Sequence, residues 1–112
     1  MNLMSQYLEK TLKSARTFLS RWNGTNAEMW ELTTSHKALD VVIRRNYDSG
    51  NLVISCLDPV TIKGPVRWKE CQLRVSTTTL DETGENGFSV ADERAGFEVV
   101  CRGLEVAENV KL

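Results

Sequence analysis

The chain changes its hydrophobic period once, and that change limits what it can fold into. In "LMSQYLEKTLKSARTFLSRW" the apolar residues Leu3, Met4, Tyr7, Leu8, Leu12, Ala15, Phe18, Leu19 and Trp22 recur at spacings of three and four. That is the spacing of one helical face. Ser5, Gln6, Glu9, Lys13, Arg16 and Ser20 fall mainly on the other side. Arg21 stands in the last turn, where a cation suits the helix dipole. Asn23 and Gly24 follow as a left-handed stop. The spacing therefore predicts a helix over about 3–22.

After Gly24 the period is two. Trp30 and Leu32 share a face, as do Leu39, Val41 and Ile43, with Asp40 and Arg44 opposite. Leu52, Ile54 and Cys56 alternate in the same way, then Cys71, Leu73 and Val75, then Phe97, Val99 and Cys101. "NYDSGN" and "LDETGENG" read as turns between strands. Short connections favour antiparallel pairing, because a parallel pair needs a long crossover. The expected fold is α+β: one N-terminal amphipathic helix packed on a twisted antiparallel sheet of five to seven strands. A β-sandwich or small barrel with an appended helix is the alternative. Residues 1–112 are expected to form a single domain, with strands over about 27–110.

The net charge of −1 argues against strong non-specific attraction to nucleic acid. The charge is unevenly placed. Residues 1–22 carry Lys10, Lys13, Arg16 and Arg21 against Glu9 alone, whereas residues 80–112 hold eight acidic and three basic side chains. A basic head and an acidic tail attract each other, within one chain or between two. No apolar run is long enough to span a bilayer, and the N-terminus lacks the pattern of a secretory signal. The expectation is a cytoplasmic protein without membrane attachment.

Three cysteines at wide spacing fit reduced thiols. Each shares a strand face with apolar neighbours, which raises a thiol's pKa and removes it from attack or ligation. No C-x-x-C pair, Gly-rich phosphate loop, nucleophile elbow or paired-His metal motif is present. No catalytic residue, metal ligand or cofactor is assigned, and catalysis has no motif behind it. Asp81, Glu82 and Glu85 lack the alternating ligand pattern of a calcium loop.

Two residue sets remain as candidate sites. The first turns on Trp68 in "DPVTIKGPVRWKECQL", which holds both prolines, Pro59 and Pro65. These read as edge or punctuation positions between strands. Cys71, Leu73 and Val75 are odd-numbered and Trp68 is even-numbered. Either a bulge near Lys69 and Glu70 returns Trp68 to the core, or Trp68 faces outward. If outward, it joins Val42, Val53 and Val100, among Arg44, Arg67, Arg74 and Arg102, as an apolar surface rimmed by arginines. That surface fits a protein partner or a second copy of the chain in a homodimer. The basic residues around Trp68 give nucleic acid only a weak case, with one aromatic and an acidic tail to offset them. The second set, Tyr7, Trp22, Trp30 and His36, would line a pocket between helix and sheet for a small ligand of unknown kind. The functional expectation is a small non-catalytic protein-interaction or binding domain that self-associates. The alternative is a small-ligand pocket between helix and sheet, with or without an enzymatic activity.

Overall fold

The computed structural model describes residues 3–33, 38–44, 50–80 and 84–110, with the backbone alone for 3–5 and 30–33. Helix α1 spans Leu3–Trp22, and the strands are β1 (Asn26–Thr33), β2 (Ala38–Arg44), β3 (Asn51–Lys63), β4 (Arg67–Trp68), β5 (Arg74–Thr79), β6 (Asn86–Asp92) and β7 (Phe97–Val110). All seven strands form one antiparallel sheet in the order β4-β1-β2-β3-β7-β6-β5. The sheet curls into a half-barrel with the helix packed against it.

The helix ends where the sequence stops supplying a helical face. The N–H of Asn23 still donates to the Leu19 carbonyl at 2.9 Å, and Gly24 then adopts φ 99°. Leu8, Ala15, Leu19 and Trp22 are buried, and Leu12 and Phe18 pack against them half-buried. Facing them are Leu39, Val41 and Ile43 of β2, Leu52, Ile54 and Cys56 of β3, and Phe97, Val99 and Cys101 of β7. These are the period-two faces expected from the sequence. Each large apolar side chain fully buried there contributes about 2 kcal/mol.

Two polar clamps fix the helix to the sheet. The Asn23 side-chain amide donates to the Leu73 carbonyl and accepts from the Leu73 N–H, both at 2.9 Å, as a neighbouring strand would. Glu108 of β7 accepts from the Trp22 indole at 2.9 Å and from Arg21 at 2.6 Å. Arg16 reaches the Val75 carbonyl at 3.3 Å, covering part of the β5 edge.

The two edge strands, β4 and β5, are consecutive in the chain. Residues 69–73 therefore run from one edge of the sheet to the other across the mouth of the half-barrel. Cys71 ties this crossing to the start of β1: its N–H donates to the Thr25 carbonyl and its carbonyl accepts from the Gly24 N–H, both at 2.8 Å. Glu70, in the middle of the crossing, has φ 51°.

Asp58-Pro59 does not end a strand, contrary to the sequence expectation. Strand β3 continues to Lys63 through an irregularity at Asp58 (φ 52°) and between Pro59 and Thr61. Among the described residues, pairing with β2 reaches as far as Leu57 and the one ladder partner of Pro59 is β7. A proline is tolerated at such an edge. Pro65 does stand in a break between strands. Most of the "NYDSGN" turn lies outside the described residues, as do His36, Asp81 and Glu82.

Candidate functional site

Trp68 faces the core side of the sheet. It stands opposite Ala27, itself a buried core residue, while Arg67 stands opposite Glu28 on the outer face. The change of parity falls in the crossing segment at Glu70, whose left-handed backbone has the effect the parity argument requires of a bulge. The outward alternative is thereby corrected. The indole rests on Phe97 with ring centroids 4.5 Å apart and planes inclined by 33°. Its N–H donates to Asp92 Oδ2 at 2.8 Å.

Asp92 gathers the seam. The same Oδ2 accepts from the Gln72 N–H at 2.8 Å, and Oδ1 accepts from the Ala95 N–H at 3.3 Å. The residue is only 2% exposed. Burial by itself would raise its carboxyl pKa. The hydrogen bonds from the Gln72 N–H, the Trp68 indole and the N–H groups of Ala95 and Arg94 outweigh burial and hold it below the usual value. The carboxylate thus joins β4, the crossing segment and the β6–β7 turn.

Beside β4 the sheet opens into a cleft of about 310 Å³, lined by Asn26, Ala27, Glu28, Arg44, Arg67, Trp68 and Lys69. That volume is at the small end of ligand sites. Arg44 pairs with Glu28. Among the described residues neither Arg67 nor Lys69 has an ion-pair partner. Among the described residues the lining therefore presents three cations against one carboxylate, on the face of the sheet opposite the Trp68 indole. A larger groove of about 430 Å³ runs along Glu9, Leu12, Lys13, Arg16, Thr17 and Ser20, but it is built on one helix and has no aromatic side chain.

The other members of the arginine-rimmed set do not join Trp68. Val42 and Val53 do lie on the outer face, yet they are 0% and 9% exposed. Val42 stands between Glu28 and Val53 in the ladder, beside the Arg44–Glu28 pair. Arg74 pairs with Glu93, and Arg102 with Asp58 and Glu85. Val100 is half-buried, in register with Thr61 and Ser89. Only Arg44, Arg67 and Trp68 of that set meet at one place.

The pocket set is also dispersed. Tyr7 is 45% exposed and meets Phe88 edge-on at 6.5 Å. Trp22 is buried at the far end of α1, about 22 Å along the helix axis. The space between them holds Leu8, Ala15 and Leu19. The Trp30 side chain and His36 lie outside the described residues, and the β1 register slips between Met29 and Glu31.

Cys56, Cys71 and Cys101 are free and buried. A hydrogen bond with Cys101, reinforced by burial, pushes the Cys56 thiol well up. Burial pushes the Cys71 thiol up despite backbone hydrogen bonds that act the other way. Thiols held protonated in this way are poor nucleophiles. Among the described residues, no three His, Cys, Asp or Glu side chains are placed to hold a metal ion. Among them, too, no helix is long and apolar enough to cross a membrane.

The sequence reading singled out Trp68, Arg67 and Arg44 but passed over Asp92, Asn26 and Glu28. For Asp92 one local signal existed: an Asp opening a four-residue turn, "DERA", whose side chain bonds a backbone N–H ahead of it. Compared with protein-family models, curated proteins and solved structures, the chain matches none.

Proposed function

We propose that this chain is a small non-catalytic binding domain, and that the β1–β4 edge cleft holds an anionic segment of a protein partner. One observation carries this reading: Arg67 and Lys69, without ion-pair partners among the described residues, line one cleft on an edge strand that Trp68 anchors to Asp92 and Phe97. Uncommitted cations on a fixed strand edge favour a partner that brings negative charge. Val66, exposed next to β4, extends the apolar part of that edge. Three free buried thiols support residence in a reducing compartment, the cytoplasm.

Anisotropy of a fluorescein-labelled deca-glutamate peptide at low ionic strength tests the site. The Arg67→Gln, Lys69→Gln double variant is expected to bind roughly tenfold more weakly than wild type. The Lys10→Gln, Lys13→Gln variant, changed on the exposed helix, is expected to bind as wild type does. Loss in the helix variant with full binding in the cleft variant would reject the site.

Self-association is the second reading, favoured by the basic first 22 residues and the acidic last third. Part of that attraction is used inside the chain, where Arg21 meets Glu108. Light scattering that returns a monomer at high concentration removes this reading.

A further inference from the structure

We infer that the free edge of β5 pairs with the same edge of a second copy of the chain, antiparallel and centred on Thr77. This pairing rests on the self-association reading, gives it a surface, and is independent of the cleft.

In an antiparallel sheet the backbone groups of successive residues point alternately to the two neighbouring strands. The Leu80 N–H donates to the Glu85 carbonyl at 2.7 Å, inside the β5–β6 hairpin. Even-numbered residues of β5 therefore bond β6, and Leu73, Val75, Thr77 and Thr79 turn their N–H and C=O groups to the open side. Part of that edge is occupied from within the chain. Asn23 takes both groups of Leu73, and Arg16 takes the Val75 carbonyl. Among the described residues nothing bonds the Val75 N–H or either backbone group of Thr77 and Thr79 on this side.

Other edges are blunted. β4 is two residues long, follows Pro65 and carries Arg67 beside Lys69. Short length, proline and cations are devices by which an edge refuses a neighbour. Val75–Thr79, "VSTTT", has neither proline nor charge. Beyond Cys101, β7 also lacks a partner on its β6 side among the described residues. There, however, Trp22 and Arg21 of the helix bond Glu108, and Asn109 leaves extended backbone at φ 58°.

A second copy is the occupant because the strand complements itself. About a two-fold axis at Thr77, Thr77 meets its own counterpart and Val75 meets the counterpart of Thr79, so every open group finds a partner. The facing side chains are Val and Thr, which pair well across strands, and no charge meets its like. The helices add charge complementarity. Arg16 reaches Val75, whereas Tyr7 meets Phe88, the ladder partner of Thr77. The helix thus runs from residue 16 to residue 7 as β5 runs from 75 to 77, and the axis sets the second helix antiparallel to it. That brings the exposed Glu9 of each copy toward the exposed Lys13 and Arg16 of the other. The Arg16 bond to Val75 is long, at 3.3 Å, and a carboxylate is the stronger acceptor for its guanidinium.

Sedimentation equilibrium from micromolar to millimolar protein, with amide exchange read by NMR at both ends of that range, tests the pairing. Wild type is expected to dimerise, and the Val75, Thr77 and Thr79 amides should exchange at least about tenfold more slowly in the dimer than in dilute protein. Thr77→Pro removes the central N–H from an edge where a fold tolerates proline, and should weaken dimerisation at least about tenfold. Thr77→Lys keeps the N–H but sets two cations face to face, so it should also weaken dimerisation, with circular dichroism and melting temperature unchanged. The lysine variant decides if the proline variant does not fold. The Arg67→Gln, Lys69→Gln variant should dimerise as wild type does. A dimer that the Thr77 variants retain, with the three amides exchanging as in dilute protein, overturns the β5 pairing and leaves self-association standing. A wild-type monomer at millimolar concentration overturns both and leaves the edge to a strand of another protein.

Discussion

Replacing Asp92 by alanine is expected to destabilise the protein by about 3 kcal/mol. The substitution removes the acceptor for the Trp68 indole and for the Gln72 and Ala95 N–H groups at once. These donors sit in a seam that admits little water, so each one left unpaired carries a desolvation cost. The effect has a pH signature. The folded-state pKa of Asp92 lies below the ordinary carboxylate value. Its contribution is therefore full above that ordinary value and is lost as pH falls through the lower, folded one. Urea unfolding of wild type and Asp92→Ala should show a gap that is constant near neutrality and narrows only in strong acid. A gap that closes near pH 6 would mean that another group is being measured.

Gly64→Ala is expected to cost a similar amount, about 3 kcal/mol, for a different reason. Gly64 has φ 116°, a region closed to residues with a side chain, and its new Cβ would come within 2.6 Å of the Gly96 carbonyl oxygen and the Phe97 Cα. Both contacts are backbone, so neither can rotate away. Relief requires the tip between β3 and β4 to lift from the β6–β7 turn, and this draws Trp68 off Phe97. Lower stability should thus come with a red shift of tryptophan emission. Gly24→Ala is the control. Gly24 also has positive φ, at 99°, but its Cβ would meet nothing within 4 Å. It should cost about 1 kcal/mol and leave the emission in place.

Local structure was legible in the sequence because it is written at short range. The 3.6-residue spacing and Asn23-Gly24 fixed α1 at Leu3–Trp22, and the period-two runs identified the inward faces of β2, β3 and β7. The order of the strands was not legible. Nothing between Arg67 and Val75 states that two adjacent short strands belong to opposite edges of one sheet, because that depends on pairing partners far away in the chain. Parity correctly located trouble near Glu70 without revealing that the irregular segment crosses the mouth of the half-barrel. Val42 and Val53 misled for a related reason. An outward position is exposed only if its cross-strand neighbours are small, and Glu28, Arg44 and Val53 surround Val42 here. Asp92 was passed over because its partners, Trp68 and Gln72, are 24 and 20 residues away. The cleft depends on all of these long-range facts, which explains why only its arginines and tryptophan were singled out.

The central claim is that the cleft beside Trp68 is where this protein holds an anionic partner. Native mass spectrometry of the protein isolated from its host at low salt tests it most directly. Wild type would be compared with an Arg67→Glu, Lys69→Glu variant of matched circular dichroism and melting temperature. Wild type should carry an anionic species that the variant lacks. The same bound species on both, in the same proportion, would contradict the claim.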